Sequence, residues 1–272
     1  MITLDDVTLC AADSAMIALT TRAMHLSMQG CKFADAVLFS DQEAEGNFRV
    51  VKIDKLDRVG YQAIRLKPPK IETPFALWIE WDGYVVEPRA WHPAFFEYDY
   101  IGAKWQNGNV GNSGFSLQSR KLTEALADEQ FLAMPHNVDE LICNVYRPTL
   151  EREFGIRFAP PHVADLFAYW VTLPRQPTFG FHGLSNMWRY CSDDEVIKIV
   201  EQVAPYVLHG PQFVILIWTY ATQCKFAIVE RLFGMMRKLY SQADALAAFR
   251  RGLKQPHSDE LFAFCEKLCA GQ

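Results

Sequence analysis

A long apolar run constrains this chain more than any other feature. Residues 75–86 read FALWIEWDGYVV and are bounded by a proline on each side. An aromatic-rich run without regular polar alternation is typical of a strand buried on both faces of a sheet. Two carboxylates, Glu80 and Asp82, interrupt the run. If the strand continues that far, its two-residue period directs both to one face, and Gly83 lets the backbone turn behind them. Paired carboxylates at a strand end predict a site for a divalent cation.

The N-terminal part of the chain predicts a βαβ-like unit. Residues 6–12 (DVTLCAA) and 34–41 (ADAVLFSD) are typical of buried strands, and residues 15–29 between them are typical of a helix. Open α/β sheets bind ligands beyond the carboxyl ends of their strands. Asp13 and Asp41 follow the two strands and are therefore candidate ligand-binding residues. The alternatives are a helix N-cap for Asp13 and a plain loop position for Asp41.

Composition excludes several classes of protein. With 272 residues, 50% of them hydrophobic, the chain can bury a large core, and its net charge of −5 gives no reason to expect nucleic-acid binding. Seven cysteines without close paired spacing argue against a secreted disulfide framework and for a reducing compartment. The acidic start, MITLDD, lacks the positive charge of a signal peptide, and no apolar run has the length of a membrane span. These features predict a cytoplasmic protein.

The last third of the chain differs in character. Ser192 opens the sequence SDDE, a capping box, and nearly everything after it is typical of helices. We therefore predict an α/β domain over residues 1–190 and a helical appendage over 191–272. Residues 212–254 carry seven Lys and Arg against two acidic residues. Such basic, amphipathic helices suit peripheral contact with an anionic inner-membrane surface or with a partner helix. The alternative is a helix packed on the α/β domain with its charges in water.

Motifs that follow the carboxylate pair carry a family resemblance. Trp91, YDYIGAKW at residues 98–105 and VGNSGFSLQSR at residues 110–120 occur in this order. The order resembles an uncharacterised bacterial family of glycosyltransferase-like domains that read roughly DG(F/Y)V…W…(F/Y)DYIGAPW…VGNGGFSLRSR. More broadly it resembles GT-A-type nucleotide-sugar glycosyltransferases. The resemblance covers roughly residues 5–185 and implies a Rossmann-like α/β fold, with a mixed sheet and flanking helices.

The resemblance implies a metal site. In GT-A-type enzymes a D-x-D-like motif at a strand end holds Mn²⁺ or Mg²⁺ on the donor diphosphate, and Glu80 stands at the first acidic position of that motif here. Asp82 stands at the second. A histidine from the C-terminal side completes the metal ligands in this family, and that role maps to His182 in TFGFHG. The alternative for a single histidine in aromatic surroundings is a packed or surface residue.

The glycine-bearing segment is a second candidate region. In GT-A-like enzymes the comparable segment shapes the acceptor side, so the resemblance makes Asn112, Ser113 and Gly114 candidates for donor or acceptor binding. The alternative is a surface turn. Ser116, Ser119 and Arg120 are predicted to begin a helix, from which Arg120 could bind an anion or remain solvated.

A third region contains the candidate general base. Related sequences place a Glu-Asp pair before a helix, and with Cys143 as the anchor, Asp139 matches the Asp while Val138 replaces the Glu. Asp139 and Glu140 are expected to open a helix that ends at Gly155. We rank Asp139 above Glu140 as the base. The alternative is that both carboxylates only stabilise the helix terminus.

Together these motifs predict transfer of a sugar from a nucleotide-sugar donor to a hydroxyl acceptor, in bacterial surface glycan synthesis. Two other classes remain open at this point. A catalytically inactive sugar-nucleotide-binding or scaffold protein would account for Val138. A metal-dependent phosphoesterase would use a similar set of carboxylates and histidine.

Overall fold

The computed structural model describes residues 1–69, 71–132, 134, 136–171 and 173–270. Two compact units make up the chain, Met1–His182 and Gly183–Gln272. The first contains all the sheet structure of the described residues, and the second is helical. The predicted domain boundary after residue 190 lies inside the second unit, beyond its first helical turns, and the assignment of separate roles to the two parts stays a prediction.

A mixed sheet of six strands organises the first unit. Its strands in chain order are β1 (Ile2–Ala12), β2 (Cys31–Ser40), β3 (Arg49–Lys52), β4 (Phe75–Ile79), β5 (Tyr100–Gly102) and β6 (Phe115–Ser119). The spatial order is β3-β2-β1-β4-β6-β5. The first four strands of this order run parallel, whereas β6 runs antiparallel to both of its neighbours. The predicted α/β class with a mixed sheet is therefore confirmed.

Helices flank the sheet and connect its strands. In chain order they are α1 (Ile17–Gly30), α2 (Arg58–Leu66), α3 (Arg120–Leu126), α4 (Val138–Glu140), α5 (Arg147–Phe154) and α6 (Pro161–Phe167). Two short parallel strands, β7 (Ala168–Tyr169) and β8 (Gly180–Phe181), form a separate ladder near the end of the unit. The predicted βαβ unit corresponds to β1, α1 and β2.

Strand β4 lies at the centre of the core, as its apolar run predicts. Its residues Ala76 to Ile79 are almost fully buried, and Trp78 stacks on Phe39 of β2 with ring centroids 5.8 Å apart. The strand nevertheless ends at Ile79. Gly83 donates its backbone N–H to the Glu80 carbonyl at 3.1 Å, so the acidic pair lies in a tight turn rather than on one face of a strand.

The segment after residue 115 differs from the predicted helix. Phe115–Ser119 forms β6, and the Ser119 hydroxyl then caps α3 by accepting the N–H of Leu122 at 3.1 Å. The polar residues Ser116 and Gln118, which favour the exposed face of a helix, are buried here and bond to each other at 3.1 Å. Pairing with β4 and β5 therefore overrides the local pattern.

The helix expected over residues 139–154 is interrupted. The short α4 leads into a π-helical turn, Leu141–Val145, before α5 begins at Arg147. Tyr146 donates its N–H to the Leu141 carbonyl, five residues earlier, at 2.8 Å. Pro148 has no N–H to donate to the preceding turn, so a regular α-helix cannot continue through this point. Single π-turns of this kind occur frequently at functional sites.

The second unit consists of five α-helices and two short 3₁₀ segments within the described residues. The α-helices are α7 (Asp193–Val200), α8 (Pro211–Thr222), α9 (Phe226–Leu239), α10 (Gln242–Gly252) and α11 (His257–Ala270). The predicted capping box is confirmed: the Ser192 hydroxyl accepts the Glu195 N–H at 3.3 Å, and the Glu195 carboxylate accepts the Ser192 N–H at 2.8 Å.

Four of the seven Lys and Arg residues over 212–254 form ion pairs with carboxylates of this unit, namely Lys225–Asp193 at 2.7 Å, Arg231–Glu201 at 3.5 Å, Arg237–Glu266 at 3.0 Å and Arg250–Asp259 at 2.8 Å. The basic segment is therefore partly neutralised, and its contact with an anionic membrane stays a prediction. Among the helices of the described residues, none combines the length and apolar character that a membrane span needs.

Candidate active site

Two neighbouring carboxylates and a histidine 100 residues further along the chain converge beyond the carboxyl end of β4. His182 follows β8, and its backbone N–H is held by the Tyr169 carbonyl at 3.0 Å. Its Nε2 lies 3.4 Å from Glu80 Oε2 and 3.2 Å from Asp82 Oδ1. One ligand atom from each of the three side chains lies within 4.8 Å of the others. The structure thus brings together all three residues of the predicted metal site.

The carboxylates of this Glu80–Asp82–His182 cluster control the charge of the imidazole. Burial lowers the pKa of His182, but Asp82 and Glu80 outweigh it and raise that pKa to about 10. Burial raises the pKa of Glu80, yet His182 and the Arg65 guanidinium bring it down to about 2. The raised histidine pKa stabilises the fold fully below the unfolded-state value of about 6.5. That contribution is lost as the pH rises through about 10.

Helix α2 holds the Glu80 carboxylate in place. Tyr61 donates its hydroxyl to Glu80 Oε1 at 2.6 Å, and Arg65 Nη1 donates to the Tyr61 oxygen at 2.7 Å. Arg65 Nη1 also lies 3.6 Å from Glu80 Oε1. The guanidinium is 1% exposed, stacks 4.7 Å above the Trp78 ring and donates to the Ser113 carbonyl at 2.8 Å. A buried cation held by several contacts of this kind fixes the orientation of its carboxylate partner.

Sequence analysis did not identify Tyr61 and Arg65. They are four residues apart and therefore lie on one face of α2, and this spacing is the signal that the sequence offers. The spacing does not reveal that the face is directed at Glu80, because that depends on how α2 packs against the sheet.

Gly114 leaves the space that the His182 ring occupies. A Cβ added at Gly114 would lie 2.1 Å from His182 Nε2 and 2.3 Å from its Cε1. We expect Gly114→Ala to displace the ring from the carboxylates and so to lower the His182 pKa from about 10 toward its ordinary value of about 6.5. An NMR titration of the ring proton measures this change. Gly234→Ala in α9 is the control, since no atom lies within 4 Å of a Cβ added there. An unchanged His182 pKa in Gly114→Ala would contradict the packing argument.

A cleft of about 340 Å³ opens beside the Glu80–Asp82–His182 cluster. The sequence-predicted residues that line it are Glu80, Asn112, Ser113, Gly114, Asp139 and His182. The glycine-bearing segment and the helix-opening carboxylate thus meet at one place, as the resemblance implies. Val138, which stands where related sequences have a Glu, also lines the cleft.

Of the two candidate bases, Asp139 lines the cleft and Glu140 does not. Asp139 Oδ2 accepts from the Trp105 indole N–H at 3.4 Å, and its Oδ1 accepts from the Glu140 backbone N–H at 3.1 Å. Burial raises the pKa of the Asp139 carboxyl. Glu140 is about half exposed and instead lies 3.3 Å from His136 Nδ1. The structure therefore places Asp139 in the cleft and turns Glu140 toward a surface histidine.

Asp13 and Asp41 lie along the same edge of the sheet as Glu80, because β1, β2 and β4 are parallel. The Asp13 carboxylate accepts the backbone N–H groups of Ala15 at 2.7 Å and Met16 at 3.0 Å in the turn before α1, whereas the N-cap residue of that helix is Met16. Asp41 follows β2, and its Oδ1 is buried without a hydrogen-bond partner in the described part of the chain. Neither residue lines the cleft beside the cluster.

Arg120 lies at the opposite edge of the sheet. In the antiparallel pairing of β4 with β6, Ser119 is opposite Phe75, whereas the cleft lies beyond Ile79. The Arg120 backbone N–H donates to Pro74 at 2.7 Å, and its guanidinium donates to the Glu72 carbonyl. The length of β4 therefore separates Arg120 from the cleft. The structure therefore does not place Arg120 at this site, where its predicted role in binding would require it.

Comparisons with known proteins complete the description. Among curated proteins, no sequence matches this chain. One similar solved structure is the galactosyltransferase LgtC in complex with donor and acceptor sugar analogs, with 11% identity, a TM-score of 0.45, and coverage of 72% of this chain and 96% of that one. Another is a glycosyltransferase involved in the glycosylation of the major capsid of PBCV-1, with 12% identity, a TM-score of 0.41, and coverage of 65% and 91%. Residues 70–182, which contain β4, the cleft-lining segment and His182, match a family described as protein of unknown function (DUF5672).

Proposed function

We propose that the unit Met1–His182 is a GT-A-like glycosyltransferase that moves a sugar from a nucleotide-sugar donor to a hydroxyl acceptor. The observation that carries the proposal is the convergence of Glu80, Asp82 and His182 at the carboxyl edge of parallel strands, beside a cleft of about 340 Å³. This is where open α/β sheets bind ligands. The motif resemblance supplies the reaction class, with a glycan of the bacterial surface as the acceptor.

The side chains of the cluster suit a hard divalent cation. Two carboxylate oxygens and one imidazole nitrogen lie within 4.8 Å of one another. This set matches the ligand preferences of Mn²⁺, and its carboxylates also suit Mg²⁺, which prefers oxygen ligands. Asp82, Glu80 and His182 would hold the ion. Bound there, it would supply charge neutralisation for the departing diphosphate. His182 must lose its proton to act as a ligand, so metal affinity should rise with pH.

Asp139 is the proposed general base for an inverting transfer. Its burial raises its pKa, which makes the carboxylate a better proton acceptor than an exposed aspartate. The Trp105 indole N–H, 3.4 Å from Oδ2, helps to orient the carboxylate at the cleft. Asp139 would take the proton of the acceptor hydroxyl while the cluster holds the donor.

The metal assignment is tested by the ligand variants. We expect Asp82→Asn and His182→Ala to abolish the Mn²⁺-dependent part of nucleotide binding, measured by calorimetry with Mn²⁺ and with chelator. His182→Ala should also lower the melting temperature at neutral pH, because it removes the imidazole that pairs with both carboxylates. Asp35→Asn and His257→Ala are matched controls, because both residues are exposed and belong to surface ion pairs. Equal nucleotide affinity with Mn²⁺ and with chelator in the unmodified protein would refute the assignment. A large loss of stability in His182→Ala with unchanged Mn²⁺ affinity would instead indicate a packed histidine.

One observation favours a second candidate function. Val138 is 4% exposed and lines the cleft at the position where related sequences carry a Glu. A valine cannot exchange a proton with an acceptor, so a sugar-nucleotide-binding protein without transferase activity fits this residue. Such a protein would bind the donor in a Mn²⁺-dependent manner yet release no nucleoside diphosphate during prolonged incubation.

A further inference from the structure

The cleft contains two buried amide side chains that no role described above explains. Gln62 of α2 is 2% exposed and Asn112 is 3% exposed, and both line the cleft. Within the part of the chain that the structure describes, neither Gln62 Oε1 nor Asn112 Oδ1 has a hydrogen-bond partner. Buried acceptors without partners destabilise a fold and are rare in native proteins. Two of them at one cleft indicate a ligand that satisfies them.

The local structure fixes the Gln62 amide and the backbone at Asn112. Gln62 donates its Nε2 to the His136 carbonyl, so turning the amide over would place Oε1 against another carbonyl oxygen. Asn112 has a φ of +53°, in the left-handed region that asparagine tolerates better than most residues. Its neighbour Ser113 is anchored by Arg65 through a 2.8 Å hydrogen bond. Backbone strain held in this way by surrounding contacts clusters at ligand sites.

We propose that Gln62 and Asn112 form a hydroxyl-binding subsite that holds a sugar ring of the substrate beside the Glu80–Asp82–His182 cluster. The inference rests on the proposed function and names the part of the substrate that this side of the cleft binds. Amide oxygens only accept hydrogen bonds, so the ligand must donate, as sugar hydroxyls do. Phosphate oxygens are acceptors at neutral pH, so the diphosphate cannot satisfy this pair.

The surroundings of the subsite narrow the class of sugar. The carboxylates of Glu80 and Asp139 line the same cleft and disfavour a ligand that carries its own carboxylate. Trp170, which also lines the cleft, supplies an aromatic surface of the kind that packs against the apolar face of a sugar ring. The subsite therefore fits a neutral hexose better than a uronic or sialic acid.

Donor and acceptor sugars share this chemistry, so the experiment has two arms. In the donor arm, calorimetry with Mn²⁺ compares UDP with UDP-glucose and GDP with GDP-mannose. In the acceptor arm, saturation-transfer NMR follows methyl glucoside and lactose in the presence of UDP and Mn²⁺. Glucuronic acid serves as the charged comparison in the second arm and should bind more weakly than methyl glucoside.

The test variants are Asn112→Gly and Gln62→Met. The first removes the amide and suits the positive φ, so the fold is retained. The second keeps the side-chain length without polar atoms. The control is Asn109→Gly, an exposed position in the same segment. We expect each test variant to weaken binding of the sugar-bearing probe by about tenfold, the value of one hydrogen bond, and to leave the affinity for UDP and GDP unchanged.

The outcomes separate the subsite from the proposed function. Loss of sugar affinity in either arm, with UDP and GDP affinity retained, supports the subsite and identifies which sugar it holds. If no nucleotide binds but methyl glucoside binds in a Gln62- and Asn112-dependent manner, the subsite stands and the glycosyltransferase proposal fails. If both test variants bind every probe as Asn109→Gly does, or lose UDP and UDP-glucose affinity equally, the subsite is overturned while Mn²⁺-dependent nucleotide binding still supports the transferase. Absence of binding for every probe overturns both.

Discussion

Asp139→Asn is expected to lower the rate of sugar transfer by about 10²–10⁴ while leaving donor affinity unchanged. A general base acts on the acceptor hydroxyl in the transition state, whereas the donor is held by the cluster and the sheet edge, so the loss should fall on kcat. Asparagine preserves the shape of the side chain and can still accept the Trp105 N–H at Oδ1. The rate is measured as the release of nucleoside diphosphate from a nucleotide sugar. Donor affinity is measured in parallel by calorimetry.

Glu140→Gln is the matched control for this substitution. It changes the adjacent carboxylate in the same way, yet Glu140 is about half exposed and lies beside His136 outside the cleft. We expect near-normal turnover in Glu140→Gln. If Glu140→Gln alone abolishes transfer and Asp139→Asn stays active, the base is Glu140 and the placement of Asp139 in the cleft has no catalytic meaning.

Arg65→Met is expected to lower the free energy of unfolding by about 3–5 kcal/mol, the usual cost of removing one partner from a buried ion pair. Arg65 is 1% exposed and lies 3.6 Å from Glu80 Oε1. Methionine fills a similar volume but leaves the Ser113 carbonyl and the Tyr61 hydroxyl without their cationic donor. Urea denaturation at neutral pH measures the change.

Two further variants distinguish charge loss from lost packing. In the Arg65→Met background, Glu80→Gln removes the carboxylate that has lost the guanidinium and leaves His182 paired with Asp82, so the double variant should be more stable than Arg65→Met alone. Arg49→Met is the surface control, because Arg49 and Asp35 form an ion pair that is about half exposed, and such pairs contribute about 0–1 kcal/mol. A loss below about 1 kcal/mol in Arg65→Met would show that the guanidinium is not essential to the core.

Glu80 adds a pH dependence to this comparison. Its folded-state pKa lies at about 2, below the ordinary carboxyl value, so the stability it contributes is present above its unfolded-state value of about 4.3. That contribution should be lost as the pH falls through about 2. In Arg65→Met the Coulombic part of this dependence should weaken, and acid unfolding should begin at a higher pH.

The sequence predicts β1, β2 and β4 because these strands are apolar runs, whereas residues of β6 were expected to be helical. The central strand, the βαβ unit and the helical C-terminal third follow from hydrophobic pattern and capping residues alone. The spatial meeting of Asp82 with His182 does not follow from these patterns, since no local pattern relates residues so far apart. The family resemblance supplied it. The geometric reason for pairing Glu80 with Asp82 was wrong, because a tight turn rather than strand alternation brings them together.

Other parts of the site depended on packing that local sequence does not encode. Arg120 was predicted near the ligand because residues 116–120 were interpreted as a helix start, whereas the antiparallel strand β6 carries Arg120 to the far edge. Tyr61, Gln62 and Arg65 were missed because a helical pattern gives the spacing of a face but not what the face packs against. The burial of Arg65 and Gln62 depends on how α2 packs in the fold, which a helical pattern does not show.

The pairing of Ile79 with Phe115 has a consequence for engineering the cleft. The segment between these residues leaves the sheet at Glu80, forms the edge strand β5 over Tyr100–Gly102 and returns to the sheet at Phe115. Its last part, residues 103–114, is therefore fixed at both ends on the adjacent strands β5 and β6, and Gly114 at one end lies against His182. The outer part of this loop, residues 106–109, is exposed, and Gly108 within it has a φ of +85°, which favours glycine. Randomised residues at the other three positions, with Gly108 kept, would be absorbed by the loop without moving its fixed ends. A library built at this outer part could therefore vary acceptor preference while the charged cluster keeps its geometry.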